Sequence, residues 1–433
     1  MKLPKKPINW KEIYQTELPE IAKVIEEKEL LNQILTFNKR YLYWSEVLYR
    51  VKEEHKAKYV WTLMKLLRLE KYEELQLGTI HMVYSLIPEF NKKLHRFDKQ
   101  LAGNIEIKNK SLSLQKRYMI SSLMEEAIAS SIIEGASTTR KVAKSMLREQ
   151  RKPQNISEKM IVNSFETMQY VTQIKHKKLT PELILEIQRK ITHNTLENKK
   201  DEGTFRDNNQ VVVGHGMHAE IIAHTPPEYK EVPELINKLC EFANSESEEF
   251  IHPIIKGIIL HFLIGYIHSF NDGNGRTARS IYYWYMLSQG YWLFEYLSLS
   301  RRIVRSRKEY DLAYLYTEYD EMDLTYFIKY NITCIDESLT DLMEYITRKQ
   351  EEQKEIKKTI QKHPELNIRQ AAILEEFIHN QNKTFTIKEI SETFRVVYQT
   401  ARTDLLLLAD KGFITKKLSG KTFIFLYNEQ NNQ

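Results

Sequence analysis

The chain has 433 residues and a formal net charge of +6, with 42% hydrophobic and 11% aromatic residues. It therefore holds enough apolar material for packed cores, and its mild basicity allows nucleic acid as a partner without pointing to it. Cys240 and Cys334 are the only cysteines, which excludes a disulfide framework or a cysteine-held metal cluster and fits a reducing cytoplasm.

Glycine and proline are scarce, at 13 and 11, so a mainly α fold is expected. The Met1–Lys6 segment lacks an apolar signal and no run reaches membrane-spanning length, which predicts a cytoplasmic protein without a membrane partner. Residues 1–100 read as an N-terminal helical region, with helices near Glu20–Lys28, Leu30–Leu48, Tyr59–Leu75 and Thr79–Leu86. Pro19, Gly78 and Pro88 punctuate them, and no chemical motif stands out.

From about Leu114 to Glu134 a stretch without glycine or proline carries an apolar stripe through Leu123, Ala127, Ile128 and Ile132. That spacing predicts a helix, which Gly135 closes. Ser130 and Glu134 are four residues apart and share a face. A carboxylate at a helix C-terminus gains nothing from the dipole, so Glu134 needs a cation from elsewhere. Further on, Val211, Val212 and Val213, then Gly214-His215-Gly216, then Ile221-Ile222-Ala223, predict a β-hairpin. His215, His218 and His224 have no cysteine or acid at ligand spacing, so they are expected to be solvated hairpin side chains rather than zinc ligands.

Apolar residues recurring from Ile254 to Ile267 predict a buried helix with Pro253 in its first turn. Ala278, Ile281, Tyr282, Tyr285 and Met286 predict a second, which Gly290 ends. The loop between them reads His268-Ser269-Phe270-Asn271-Asp272-Gly273-Asn274-Gly275-Arg276-Thr277-Ala278-Arg279. Glycine-freed backbone N–H groups at a helix N-terminus cradle phosphate oxygens. Arg276 and Arg279 lie three apart and share a helix face, where their planar forks suit a phosphate chain. Asp272 suits Mg²⁺, which binds through one or two carboxylates plus phosphate oxygens. His268 is a proton acceptor beside this cradle, and Phe270 is expected to anchor the loop by packing.

The string resembles the signature of the Fic-domain family, His-Pro-Phe-x-(Asp/Glu)-Gly-Asn-Gly-Arg-x-x-Arg, with Ser269 in place of proline. Ser130-Ser131-Ile132-Ile133-Glu134-Gly135 resembles that family's inhibitory motif, (Ser/Thr)-x-x-x-Glu-(Gly/Asn). The resemblance implies a Fic-type helical core over residues 101–345 with a small β-hairpin flap. It implies a protein adenylyltransferase, moving AMP from ATP to a Ser, Thr or Tyr hydroxyl of a protein, with Mg²⁺ as cofactor. In that reading His268 is the base and Asp272 the metal ligand. Gly273, Asn274, Gly275, Arg276, Arg279 and Tyr310 bind the nucleotide. Ser130, Glu134 and Gly135 form the inhibitory segment, with Glu134 withdrawing Arg279. Val211, Val212 and Val213 belong to a flap that clamps the target. Removal of AMP, or transfer of another nucleotide, by the same site are the alternatives.

After Tyr345 a charged linker, 346–366, leads to a last unit, 367–433. Helices around Ala371–Ile378, after the Thr386-x-x-Glu389 capping box, and over Val397–Asp410 precede two short β-branched and aromatic runs. This order resembles a winged helix-turn-helix. Gln399, Thr400, Arg402 and Thr403 would then face a DNA major groove, with Lys416, Lys417 and Lys421 on the wing. DNA or a docked protein is the partner this module implies, a transcriptional regulator is the rival reading of the whole chain, and a homodimer is compatible with either.

Overall fold

The computed structural model describes residues 3–103, 112–215, 218–246, 249–381, 383–419 and 422–428. Lys421, expected on the wing, lies outside them. The chain divides into two compact units, Met1–Thr340 and Asp341–Gln433. Among the described residues no helix is long and apolar enough to cross a membrane.

The first unit opens with α1 (Trp10–Thr16), α2 (Leu18–Glu26), α3 (Lys28–Lys39), α4 (Trp44–Arg50) and α5 (Glu54–Leu69). The single helix expected over Leu30–Leu48 is thus two. The break falls at Tyr41, whose φ of 49° cannot continue a right-handed helix. The helix expected over Thr79–Leu86 is a strand. β1 (Tyr72–Leu77) and β2 (Ile80–Ser85) pair antiparallel around Gly78-Thr79, with Gly78 at φ 58°. Ile80, Met82 and Tyr84 alternate onto the buried face, a period of two, and the two-residue glycine turn fixes the register.

A buried ionic cluster joins this region to the far end of the unit. Lys65 Nζ lies 2.9 Å from Asp320 Oδ1, with both side chains 1% exposed. Arg68 donates to the Tyr326 hydroxyl, which donates to Asp320, and the Tyr41 and Tyr72 hydroxyls donate to Asp323. Every charge removed from water here has a partner, the condition under which burial is tolerated.

α6 (Pro88–Phe97) follows, then α7 (Leu112–Ile133), α8 (Arg140–Glu149), α9 (Ile156–Gln173) and α10 (Pro181–Thr192). β3 (Val213–His215) and β4 (His218–His224) form the expected hairpin, and α11 (Val232–Asn244) follows. α12 (Pro253–Ile267) is apolar on nearly every face and is the centre of the unit. It packs on α13 (Asn274–Ser288), and α7, α9 and α10 surround that pair. α14 (Leu299–Arg305) and α15 (Arg307–Tyr319) lead to α16 (Thr325–Lys362), whose last turns carry the charged segment expected as a linker.

In the second unit α17 (Ile368–His379), β5 (Phe385–Thr386), α18 (Ile387–Phe394), α19 (Tyr398–Asp410), β6 (Ile414–Ser419) and β7 (Thr422–Tyr427) follow in order. The sheet order is β5-β7-β6, three helices against a wing. The Thr386/Glu389 capping box starts α18. Leu374, Phe377, Ile390, Leu405, Leu408 and Phe425 close the core. Gln399, Arg402 and Thr403 are exposed along α19, as are Lys416 and Lys417 on β6, while Thr400 is half-buried.

Candidate active site

The site begins with a reversal of the chain. α12 ends at His268, held left-handed at φ 50°, and α13 starts after Gly273 at φ 85°. The Asn274 side chain clamps the loop between them: its Oδ1 accepts from Phe270 N–H at 2.9 Å and its Nδ2 donates to Phe270 C=O at 2.7 Å. Asn274 thus shapes the cradle with its side chain and offers a ligand only its backbone. Phe270 is fully buried and packs 5.6 Å from the Phe205 ring, the anchor expected of it.

His268 is half-buried, and its Nδ1 lies 3.1 Å from the Gly265 carbonyl. A carbonyl only accepts, so Nδ1 carries the proton and Nε2 keeps its lone pair. Burial pulls the imidazole down to about 4, against the Gly265 bond, which raises it. His268 is therefore neutral at physiological pH, with Nε2 able to accept a proton.

The cavity in front of it has a volume of about 200 Å³ and is lined by His268, Gly275, Arg279, Tyr310, Val213 and Glu134, among others. That is below the roughly 300–1,000 Å³ of ordinary ligand pockets. Glu134 takes up part of that space. A methyl group on Gly275 would collide with its carboxylate, so Glu134 stands directly over the N-terminus of α13, where an anion is favoured.

Arg279 holds it there. Its Nη2 donates to Glu134 Oε1 at 2.8 Å, its Nε to Ser130 Oγ at 2.8 Å, and Nη2 again to the Ser130 carbonyl at 3.0 Å. Burial pushes the Glu134 carboxyl up, but Arg279, with Arg276 and Arg307, outweighs it and holds the group below the ordinary carboxylate value. Gly135, at φ 93°, ends the turn, and Arg307 Nη1 donates to the Ile133 carbonyl at 2.6 Å.

Arg276 departs from expectation. It is 1% exposed and does not line the cavity; Nη1 donates to the Ile191 carbonyl at 3.3 Å and Nη2 lies 3.4 Å from Asp272 Oδ1. It braces the loop from beneath and reaches the cavity through its field. Asp272 is 55% exposed and, like Arg276, is not among the residues that line the cavity. Tyr310 is buried against His261, whose Nε2 lies 3.1 Å from its hydroxyl.

The hairpin lies over the cavity, but unevenly. Val213 pairs with His224 and lines the wall, whereas Val211 and Val212 precede β3 and are unpaired. Of the three histidines there, His215 and His218 have side chains outside the described residues. His224 is not solvated: it is buried, its Nε2 donating to the Tyr266 carbonyl at 2.7 Å and its Nδ1 2.8 Å from Glu318 Oε2. The sequence showed only its place on the hairpin, because both partners come from distant helices.

Two further residues escaped the sequence reading. Arg206 donates through Nε to the His268 carbonyl at 2.9 Å and through Nη2 to the Pro227 carbonyl, tying both flanks of the hairpin to the loop. Gln188, fully buried, donates to the Asp272 carbonyl at 3.1 Å and accepts from Gly203 N–H. Both act on backbone carbonyls, which leave no trace in residue type or spacing.

Residues 178–286 match the Fic/DOC family, a span that contains the loop, the hairpin and both central helices. Residues 369–424 match the DeoR-like helix-turn-helix domain. The chain carries a Fic domain. The protein adenylyltransferase Fic of Nematostella vectensis is 24% identical over 163 residues, 35% of this chain and 36% of that protein. That of Drosophila willistoni is 32% identical over 108 residues, 25% of this chain and 20% of its own. The chain thus spans about a third and a fifth of these relatives, and the likeness is one of Fic domain to Fic domain. In structure, a Fic family protein from Desulfovibrio desulfuricans covers 81% of this chain and 99% of its own at TM-score 0.54 and 16% identity. Fic-1 from C. elegans covers 75% and 85% at TM-score 0.52 and 18% identity. These two share the fold.

Proposed function

We propose that this protein is a protein adenylyltransferase that transfers AMP from ATP to a hydroxyl of a protein, and that Glu134 holds it in check. The observation that carries this reading is the Arg279–Glu134 pair seated over the N-terminus of α13, in one cavity with a neutral His268. A carboxylate occupies the place where a helix end and an arginine would otherwise receive phosphate. The names of the two adenylyltransferase relatives support the choice of reaction.

The proposed chemistry follows from the placement. The hydroxyl oxygen of the target forms a bond to the α-phosphorus, the bond from that phosphorus to the β-bridging oxygen breaks, and pyrophosphate leaves. His268 Nε2 takes the hydroxyl proton. The N–H groups at the start of α13 and the freed Arg279 steady charge on the phosphates, so catalysis is positioning and electrostatics. Val213 presents the only strand-paired edge of the expected flap for a target segment.

A Mg²⁺ ion fits the residues present. Asp272 offers an exposed carboxylate: its Oδ1 accepts from Gly273 N–H, while its Oδ2 has only a long contact to Arg276, 3.5 Å, and stays available; no group of three potential ligands occurs among the described residues. One carboxylate suffices when phosphate oxygens complete the shell. When bound, the ion would supply charge neutralisation on the phosphates.

The experiment is intact-mass analysis of the Glu134→Gly protein after incubation with Mg-ATP, beside a Glu134→Gly/His268→Ala control. The first is expected to gain AMP and the second none. A gain of phosphate, or labelling that survives loss of His268, would remove the reading.

A further inference from the structure

A second cavity, of about 1050 Å³, shares no residue with the active site. It lies on the first unit between the end of α3, α6 with the turn that follows it (Asp98–Ala102), and the first turns of α16. Seven lysines and arginines line it against two carboxylates, Glu89 and Asp336. Those acids are already taken, Glu89 by Lys93 at 2.7 Å and Asp336 by Arg96 at 2.7 Å.

Lys39, Arg40, Lys92 and Lys99 remain exposed, with no ion-pair partner among the described residues. Lys92, Arg96 and Lys99 recur at helical intervals along one side. Unpaired like charges gathered in one groove repel one another and add nothing to the fold. A bound polyanion would turn that repulsion into attraction.

The lining also narrows the kind of polyanion. It contains no Phe, Tyr or Trp; His95 is its only aromatic ring, and Pro88 is its only apolar residue. A protein interface relies on aromatic and apolar anchors at its centre, and single-stranded nucleic acid relies on aromatic rings for stacking. One proline and one imidazole supply neither an apolar anchor cluster nor a series of stacking rings. A row of cations with a single imidazole among them suits the backbone of a duplex, read through its phosphates. The second unit, with a DeoR-like helix-turn-helix match and an exposed α19 face, favours DNA as the source of that backbone.

We propose that this groove docks the phosphate backbone of double-helical DNA, with Lys39, Arg40, Lys92 and Lys99 as the contacts. The inference does not rest on the adenylyl-transfer reading. It assigns the first unit a nucleic-acid contact of its own, in addition to any made by the helix-turn-helix domain.

The test uses the full chain and a fluorescein-labelled, mixed-sequence DNA duplex, with binding followed by anisotropy between about 50 and 200 mM salt, the range over which phosphate contacts dominate. Lys92→Ala/Lys99→Ala is expected to make the slope of log affinity against log salt shallower by about 2, since each lost phosphate contact removes roughly 0.9. Arg402→Ala, on α19, is expected to weaken binding independently, and the combined variant to show both losses. Both groove lysines are exposed, so thermal melts of the variants should overlay the parent. An unchanged slope in the lysine variant would overturn the proposal. So would parental protein that ignores DNA but binds a polyglutamate peptide, which would make the groove a site for acidic protein.

Discussion

The first unit contains two buried arginine- or lysine-to-carboxylate clusters, and they differ in one respect. Around Asp320 both partners are sealed, at 1% exposure each, and three tyrosines, Arg68 and a second carboxylate complete the network. Around Glu134 the arginine is 4% exposed but the carboxylate 27%, and that carboxylate faces a cavity. In the proposed reading the same chemistry serves as a fastening in one place and as a releasable contact in the other. What separates them is whether water or a competing anion can reach the acid.

Breaking each cluster should therefore give opposite phenotypes. Asp320→Asn leaves Lys65 and Arg68 buried without their acid, and a loss of about 3–5 kcal/mol of stability is expected in denaturant titration, with no gain in activity. A loss under about 1 kcal/mol would mean the cluster is not sealed in solution. Glu134→Gly should raise the rate of self-modification by about 10–1,000-fold, equivalent to roughly 1.4–4 kcal/mol of barrier, with a far smaller change in melting temperature. An unchanged rate would make Glu134 a structural residue like Asp320.

Smaller effects sharpen the contrast. Ser130→Ala removes one donor-acceptor pair from Arg279 without touching the cavity, so a two- to tenfold activation is expected, about 0.5–1.5 kcal/mol for a single hydrogen bond. The smallest effect concerns pH. A base is competent above its pKa and loses competence as pH falls through it, here about 4 in the folded protein. The rate of Glu134→Gly should thus change little between pH 7 and 6, whereas an ordinary imidazole would lose about threefold over that interval. A threefold loss would show that His268 is solvated in the active form.

The loop, the helices on either side and the Ser130–Glu134 turn were legible because their chemistry is written in consecutive or four-spaced residues. The winged unit was legible through its capping box and short β-branched runs. The β1–β2 hairpin is less legible: a helical reading carried through Leu75 overlooks Leu75 and Leu77, two residues apart as in a strand, beside the Gly78-Thr79 turn. Arg276 was misplaced because spacing puts it on the same helix face as Arg279 but does not say that the Ile191 carbonyl and Asp272 draw it beneath the loop. Gln188, Arg206 and His224 were hidden for a common reason: their partners lie 42 to 94 residues away, and several are main-chain atoms.

The Arg279–Glu134 contact joins positions 145 residues apart in one polypeptide. Under the proposed inhibition its closing is a first-order event within one polypeptide, and the fraction of single chains with the pair made does not depend on how concentrated the protein is. Dilution or overproduction leaves it untouched. A bound molecule can shift the population only by its difference in affinity between the two forms, and opening it takes one that binds the open form more tightly.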